Sequence, residues 1–420
     1  VKRAFKFRLY PTSKQRDALG QMCAAHAELY NAALQERRDA WRMRGTSVGV
    51  YSQMLQLTEI RAAHPDQRAW SARSQQQTLR RLDKAFAAFF RRVKAGETPG
   101  YPRFRAAARF DSVDLTHGAG IKFLPEEKRL YVMGVGHIRV RQHRPLPVGA
   151  VLKTVTVKRE GSGRRARWFV VIPLEVAPTP LPPSGAITGI DMGVASFATT
   201  SEGKFLPNPR FGKSAAVKLA NAQRVLSGCK RGSSRRRKAA ESVAALHGVV
   251  RRQRLDHAHK TALKLVQDHD VICHEALRIR NMTRRAKPKP DPDNPGQYLP
   301  NGRAAKSGLN KAILDAGWGL FLNVLTAKAE KAGRETVPVP AANTSRTCVE
   351  CGHCEAANRP SQATFVCQRC GFTGHADVVG AINILRAGTA LRQAGSRGLT
   401  RSSALTGGRF TPTSCLTPAT

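Results

Sequence analysis

Two CxxC pairs, Cys348-Val-Glu-Cys351 and Cys367-Gln-Arg-Cys370, constrain this chain more than any other feature. Four thiolates at that spacing can close a tetrahedral Zn²⁺ site from two knuckles. A closed site leaves the metal no open position, so by itself it is a staple without chemistry. The consequence lies just beyond it: Asp377 opens the apolar, helix-like run that continues to Leu385, which fixes a carboxylate beside a metal-stapled module. Cys354 repeats the spacing of the first pair; the second pair still favours Cys348 and Cys351 as the zinc ligands.

Charge narrows the partners. Seventy Lys and Arg against 29 Asp and Glu give a formal net charge of +41, far beyond what solubility needs. Such an excess points to a polyanion, with nucleic acid the leading candidate. No stretch approaches the roughly 20 apolar residues of a membrane span, and the N-terminus carries no apolar signal region. The nine cysteines are an odd number for a disulfide framework and cluster in CxxC pairs, as in a reducing compartment. The expected location is therefore the cytoplasm, in association with the nucleoid. At 420 residues, two to four domains are expected.

Along the chain, Ala4 to Tyr10 alternates as a strand, and Thr12 caps a helical region that runs to Val93 in three or four helices. Phe86, Phe89 and Phe90 read as core, while the interleaved Arg80, Arg81, Lys84, Arg91 and Arg92 face solvent or phosphate. From Phe110 to Val176 short alternating runs separated by Gly and Pro suggest a small barrel, which the first strand joins, so that the helices are an insertion into it. Pro178 to Gly185 reads as a linker. A buried strand then stops at Asp191, two long basic helices follow from Lys213 to His269, and a second buried strand ends in Glu275. Residues 282–311 read as a mobile loop and Leu314 to Lys331 as a helix, and beyond Leu385 the composition suggests a disordered tail.

Asp191, Glu275 and Asp377 each end or open an apolar element. Hydrolysis of a phosphodiester needs a deprotonated water and a stabilised leaving oxygen, which two Mg²⁺ (or Mn²⁺) ions held by acids supply. Taken singly, such acids are as readily strand-end or cap residues. Their surroundings decide the matter. With Phe5-Lys-Phe-Arg-Leu-Tyr-Pro11, Gly100-Tyr-Pro-Arg-Phe-Arg105, Gly189-Ile-Asp-Met-Gly193, Arg254-Leu-Asp-His-Ala-His-Lys260, His274-Glu-Ala-Leu277, Asp315-Ala-Gly-Trp-Gly319 and Thr344-Ser-Arg-Thr-Cys-Val-Glu-Cys-Gly352, the chain resembles TnpB, the RNA-guided nuclease of bacterial transposons and a relative of the type V CRISPR effectors.

The resemblance implies an α+β multidomain fold: a β-barrel (wedge) domain at 1–10 and 101–180 and a helical recognition insertion at 11–100. An RNase H-like RuvC nuclease domain follows at 181–343 and 374–386, with a zinc-ribbon insert at 344–373 and a disordered tail at 387–420. It implies catalysis by Asp191, Glu275 and Asp377 as Mg²⁺ ligands, zinc on Cys348, Cys351, Cys367 and Cys370, and one chain holding one guide RNA. Target DNA next to a short flanking motif is the substrate. Tyr51, Arg73 and Gln76 are candidates for reading that motif, and Arg254 and Lys260 for nucleic-acid contact. The family usually carries Asn two residues after the third acid and Ala after that; here the residues are Val379 and Gly380. A compact CRISPR effector, and an RNA-guided repressor that binds DNA with weak or no cleavage, are the alternative readings.

Overall fold

The computed structural model describes residues 1–400 apart from Ser162, Arg164 and Arg165, and for 395–400 the backbone course alone. The described chain forms two compact units, residues 1–177 with 217–249, and residues 178–216 with 250 onwards.

The first unit begins with β1 (Lys2–Tyr10), followed by α1 (Ser13–Arg44), the short α2 (Val50–Leu55), α3 (Leu57–Ala63) and α4 (Pro65–Arg68), and then α5 (Ala72–Lys94). Thr12 caps α1 in a box with Gln15, and the Gln15 side chain also donates to the His137 carbonyl at 2.8 Å, tying the helix to the barrel. Six more strands follow: β2 (Ser112–His117), β3 (Gly120–Leu124), β4 (Arg129–Val132), β5 (Gly136–Arg141), β6 (Thr154–Glu160) and β7 (Arg167–Glu175). With β1 they close a barrel in the order β1-β5-β4-β3-β2-β6-β7, so the opening strand does join it. Period-two alternation places Phe5, Phe7, Leu9, Val113, Leu115, Ile138, Val140, Val170 and Ile172 inside one core. In β2, Val113 and Leu115 alternate with Ser112, Asp114 and Thr116 as a half-buried strand should.

Two expectations about α5 are corrected. Arg81 does not face solvent; it donates to Asp114 at 2.9 Å and to the Ser112 carbonyl at 2.7 Å, pinning α5 onto β2. Phe90 is not core but 61% exposed, within a ring cluster of Phe86, Phe89 and Tyr101. Local periodicity marks one face of a helix without saying how far along it the partner surface extends.

The second unit is built on a five-stranded sheet. β8 (Ile187–Asp191), β9 (Ser196–Thr200) and β10 (Phe205–Pro207) form an antiparallel meander. Next come α6 (Phe211–Ser214), then α7 (Ala216–Ser227) and the first half of the 35-residue α8 (Ser234–Asp268), which are counted with the first unit, and the rest of α8 from residue 250, which belongs to the second. β11 (Val271–Glu275) lies parallel to β8, and after α9 (Ile279–Met282), α10 (Arg303–Ala316) and α11 (Trp318–Lys331), β12 (Glu335–Val339) lies parallel to β11. The sheet order is β10-β9-β8-β11-β12. Two further short strands, β13 (Thr364–Val366) and β14 (Thr373–His375), pair before α12 (Ala376–Thr400). Asp315 accepts from Arg254 and from the Gly212 and Lys213 N–H groups, locking α8, α10 and the start of α6 together.

Several boundaries differ from the sequence reading. The single helix expected from Leu314 is two, broken at Gly317, and α10 already begins at Arg303 within the expected loop. The proline-rich stretch before β8 is held fast: Asp270 accepts from the Ser184 and Gly185 N–H groups and the Ser184 hydroxyl, and Arg334 bonds both Asp270 and the Pro182 carbonyl. The tail expected from residue 387 is helical as far as Thr400, because no proline interrupts the run and Arg392 pairs with Glu335 on β12; the rest of that tail, 401–420, lies outside the described residues.

α12 seats directly on the sheet through two glycines. A Cβ on Gly189 of β8 would fall 2.1 Å from the Ala381 carbonyl oxygen and 2.7 Å from the Leu385 nitrogen, and a Cβ on Gly388 of α12 would fall 2.2 Å from Cys273 Sγ. Gly189→Ala is expected to destabilise this unit by more than ~2 kcal/mol, since backbone and not a movable side chain must give way. Gly308→Ala in α10, where a methyl meets nothing within 4 Å, is expected to stabilise slightly. Urea-unfolding midpoints check both signs.

A carboxylate cluster and a four-cysteine centre

Asp191 and Glu275 are the last residues of two adjacent parallel strands, with Ile190 opposite His274, so both acids emerge at the same sheet edge. Asp377 stands in the first turn of α12, which packs across those strands. The third acid, remote in sequence, is thereby brought to the first two. Glu275 and Asp377 are both buried. Burial pushes the Asp191 carboxyl up to about 7, and the nearby Glu275 and Asp377 charges push the same way against Arg359 and the Met192 N–H. Burial also raises Glu275, opposed by a hydrogen bond from the Thr344 hydroxyl at 3.0 Å.

Arg359 is the site residue that sequence reading missed. Its Nη2 donates to Asp377 Oδ1 at 3.1 Å and to the Gln362 carbonyl at 2.7 Å. The preceding Asn358 is fully buried, donates to the Arg346 and His353 carbonyls and accepts from the Gln368 N–H, which anchors the loop that carries the arginine. Only its position between the CxxC pairs hinted at it. His375 accepts from the Asp377 N–H at 3.2 Å and packs edge-on against Phe205. Asn383 donates to the Thr344 and Thr347 carbonyls, so α12 also holds the segment that supports Glu275.

The positions at which the chain departs from the expected pattern have physical roles. Val379 is buried with Cys348, Val349, Phe365, Cys367 and Ala376, and so joins the acid-bearing helix to the core of the cysteine module. Gly380 lies beside Asp191: a Cβ there would stand 3.1 Å from Oδ2.

The sulfurs of Cys348, Cys351, Cys367 and Cys370 lie within 4.8 Å of one another, the one such convergence among the described residues, and Cys354 is not part of it. The Cys348–Cys370 and Cys351–Cys367 sulfur separations are 3.6 and 3.5 Å. A tetrahedron with metal–sulfur bonds of about 2.3 Å has edges of roughly 3.8 Å, so the donor set fits zinc. Each pair ends in a glycine, Gly352 and Gly371, with φ of 72°, and its N–H returns to the first cysteine's carbonyl at 3.1 Å. Although burial opposes it, the Cys370 and Arg369 N–H groups hold the Cys367 thiol down to about 6, which favours the thiolate a metal needs.

The remaining candidates are dispersed. Tyr51 is exposed on α2, while Arg73 and Gln76 bond to each other at 3.3 Å on α5. Arg254 is committed to Asp315, and Lys260 is exposed beside Asp256, its partner one turn earlier on α8.

A barrel unit together with a mixed α/β unit is a fold shared with compact nucleic-acid-guided effectors of known structure. A solved Cas12f1–sgRNA–target DNA complex matches this architecture with a TM-score of 0.55 at 13% identity, over 91% of this chain and 98% of that one. The family described as "Probable transposase" matches residues 171–286, and the Cas12f1-like TNB domain matches 318–384. A helix-turn-helix family matches residues 1–46, which here hold β1 and the single long α1. A relative from Escherichia coli K12 named as the RNA-guided DNA endonuclease InsQ is 34% identical over 93% of this chain and 94% of its own length. One from Streptomyces pristinaespiralis, also named as an RNA-guided DNA endonuclease, is 33% identical over 94% of this chain. The chain belongs to the TnpB family.

The Asp191 environment has a measurable consequence. Its folded-state value near 7 lies above the ordinary carboxylate value of about 3.9, so the stability linked to this group is complete below about pH 4 and is lost as pH rises through 7. Asp191→Asn removes that loss. In EDTA the variant's Tm is expected to exceed the native one by several °C at pH 8, the gap opening above pH 4 and levelling off beyond 7. A gap independent of pH would show that ionisation of the buried Asp191 is not its cause.

Proposed function

We propose that this chain is an RNA-guided DNA endonuclease of the RuvC type, in which Asp191, Glu275 and Asp377 hold divalent metal at the edge of the β8–β11 pair. The observation that carries this reading is the carboxylate cluster itself. Three acids at neighbouring element ends, one of them raised to about 7 by burial first and by the other two charges second, make a poor folding choice and a candidate cation site. Hard oxygen donors suit Mg²⁺ or Mn²⁺. When bound, the ions supply the acidified water and the charge neutralisation that phosphodiester hydrolysis requires.

The chain's own residues do the rest. Thr344 orients Glu275 through its hydroxyl. Arg359 keeps Asp377 in place and contributes a fixed positive charge where a scissile phosphate would lie. The four cysteines would hold zinc, which would make the module that carries Arg359 rigid, and Val379 couples that module to the helix bearing Asp377. The barrel and its helical insertion serve as the wedge and recognition parts that hold guide RNA and target duplex, with Tyr51, Arg73 and Gln76 set to read the flanking motif. Base pairing then carries the sequence information, and the basic surface holds the heteroduplex by its backbone. The working place of such a protein is the nucleoid in the bacterial cytoplasm, and no described helix is long and apolar enough to cross a membrane.

The full chain purified with its RNA is expected to cut a guide-matched target in Mg²⁺. Asp191→Ala should lower the cutting rate by at least about 10³-fold while RNA binding is retained; undiminished cutting would remove Asp191 from the site, and guided binding without any cutting by the native chain would favour the repressor reading. Metal analysis should return one zinc per chain, lost in Cys367→Ser together with the thermal stability of the second unit. Arg359→Ala should lower cutting about 10²- to 10³-fold with zinc content unchanged, measured as single-turnover rates on the same target.

A further inference from the structure

The bond from Arg359 to Asp377 occupies a carboxylate oxygen that a metal ion would need. Arg359 Nη2 donates to Asp377 Oδ1 at 3.1 Å and to the Gln362 carbonyl at 2.7 Å, which employs both hydrogens of that nitrogen. The other oxygen, Oδ2, lies beside the turn after β8, where a Cβ on Gly193 would stand 3.9 Å from it. Only 12% of the Asp377 side chain and 26% of the Arg359 side chain are accessible, so salt screens the pair weakly. Among the described residues it is the one ion pair that any of the three acids makes. The guanidinium charge also reaches Asp191, where it opposes the effects of burial, Glu275 and Asp377.

The backbone of Arg359 is held firmly and its side chain is not. The Arg359 N–H donates to the Ala356 carbonyl at 3.2 Å, and the Asn358 amide before it bonds at both its oxygen and its nitrogen. Beyond the two bonds from Nη2, the guanidinium has no hydrogen-bond partner among the described residues, which leaves the donors on Nε and Nη1 open to another acceptor. A phosphodiester presents two oxygens to that planar fork. Such bidentate pairing is stronger and more directional than the single-nitrogen contact made to one oxygen of Asp377.

We propose that Arg359 is a resident counter-ion that keeps the carboxylate cluster closed to divalent metal until the phosphate of a guide-paired DNA strand draws it from Asp377. The inference rests on the RuvC-type reading above and deepens it by naming how that site is regulated. Without DNA, a divalent ion entering the cluster meets a donor oxygen already bonded and a positive charge beside it, so it binds weakly. When a phosphate engages Nε and Nη1, the side chain turns, Asp377 Oδ1 is released, and the arginine charge stays at the site with a new partner. Metal and DNA then favour each other by the same factor. The three acids read no sequence, so a site loaded with metal only when a paired strand is in place confines hydrolysis to the guided target.

The test measures metal binding and not cutting. Mn²⁺ is titrated into the full chain with its copurified RNA, and the free ion is followed by its electron paramagnetic resonance signal. The native chain is compared with Arg359→Ala and Arg359→Gln, and Asp191→Ala gives the background bound by RNA and by the rest of the chain. Without DNA, both Arg359 variants are expected to bind Mn²⁺ at the site at least about tenfold more tightly than the native chain, with zinc content unchanged as evidence that the cysteine module is intact. A guide-matched target made resistant to hydrolysis by phosphorothioate linkages should tighten native binding by about tenfold more than it tightens either variant. Equal or weaker Mn²⁺ affinity in the variants, or a DNA effect undiminished in them, would overturn the proposal and leave the nuclease reading intact. Mn²⁺ binding that never exceeds the Asp191→Ala background in native chain or variants, with or without DNA, would overturn both.

Discussion

The close seating of α12 on β8 and β11 is the contact on which the second unit depends. A helix normally stands off a sheet by the length of the side chains between them. Here Gly189 on the strand and Gly388 on the helix remove that spacing at two points, so backbone meets backbone at one and the Cys273 side chain at the other. The close approach carries Asp377 to the acids at the ends of β8 and β11. It also sets Asn383 against the Thr344 and Thr347 carbonyls, linking the same helix to the support of Glu275. Shape and chemistry thus share one cause, the absence of two side chains.

Electrostatics gives the cluster its character. In a chain with a net charge of +41, an acid can find a cation almost anywhere on the surface, as Asp114 does in Arg81 and Asp315 in Arg254. Asp191 is instead raised chiefly by its burial, and two other carboxylates, Glu275 and Asp377, add their repulsion. The cation closest at hand, Arg359, comes from the module between the CxxC pairs, and its position depends on the buried Asn358. The cysteine centre therefore bears on the acids twice, through Arg359 and through the packing of Val379.

The first unit shows the complementary logic. Its barrel interior is apolar and satisfied, whereas the outer face over β5 gathers arginines that the fold itself does not pair. Interior alternation supplies the stability, so the outer face takes no part in packing the barrel core.

Much of this was legible in one dimension. The four cysteines, the strand-end positions of Asp191 and Glu275, the helical run after Asp377, the capping box at Thr12 and the alternation of β1 and β3–β7 all follow from local spacing, because ligand pairs, caps and strand faces are set by residues a few positions apart. What only the tertiary structure decided involves partners distant in sequence. It brought Asp377 to Asp191 across 186 positions, placed Arg359 on that acid, turned Arg81 from the surface to Asp114, and drew Arg254 to Asp315. It also set Arg141 against Arg8 and Arg139 against Arg129, since which charges meet across a barrel depends on strand order and register. A sequence states which residues can bind a metal or a phosphate; the burial and mutual distance that make them do so arise only when the chain closes on itself.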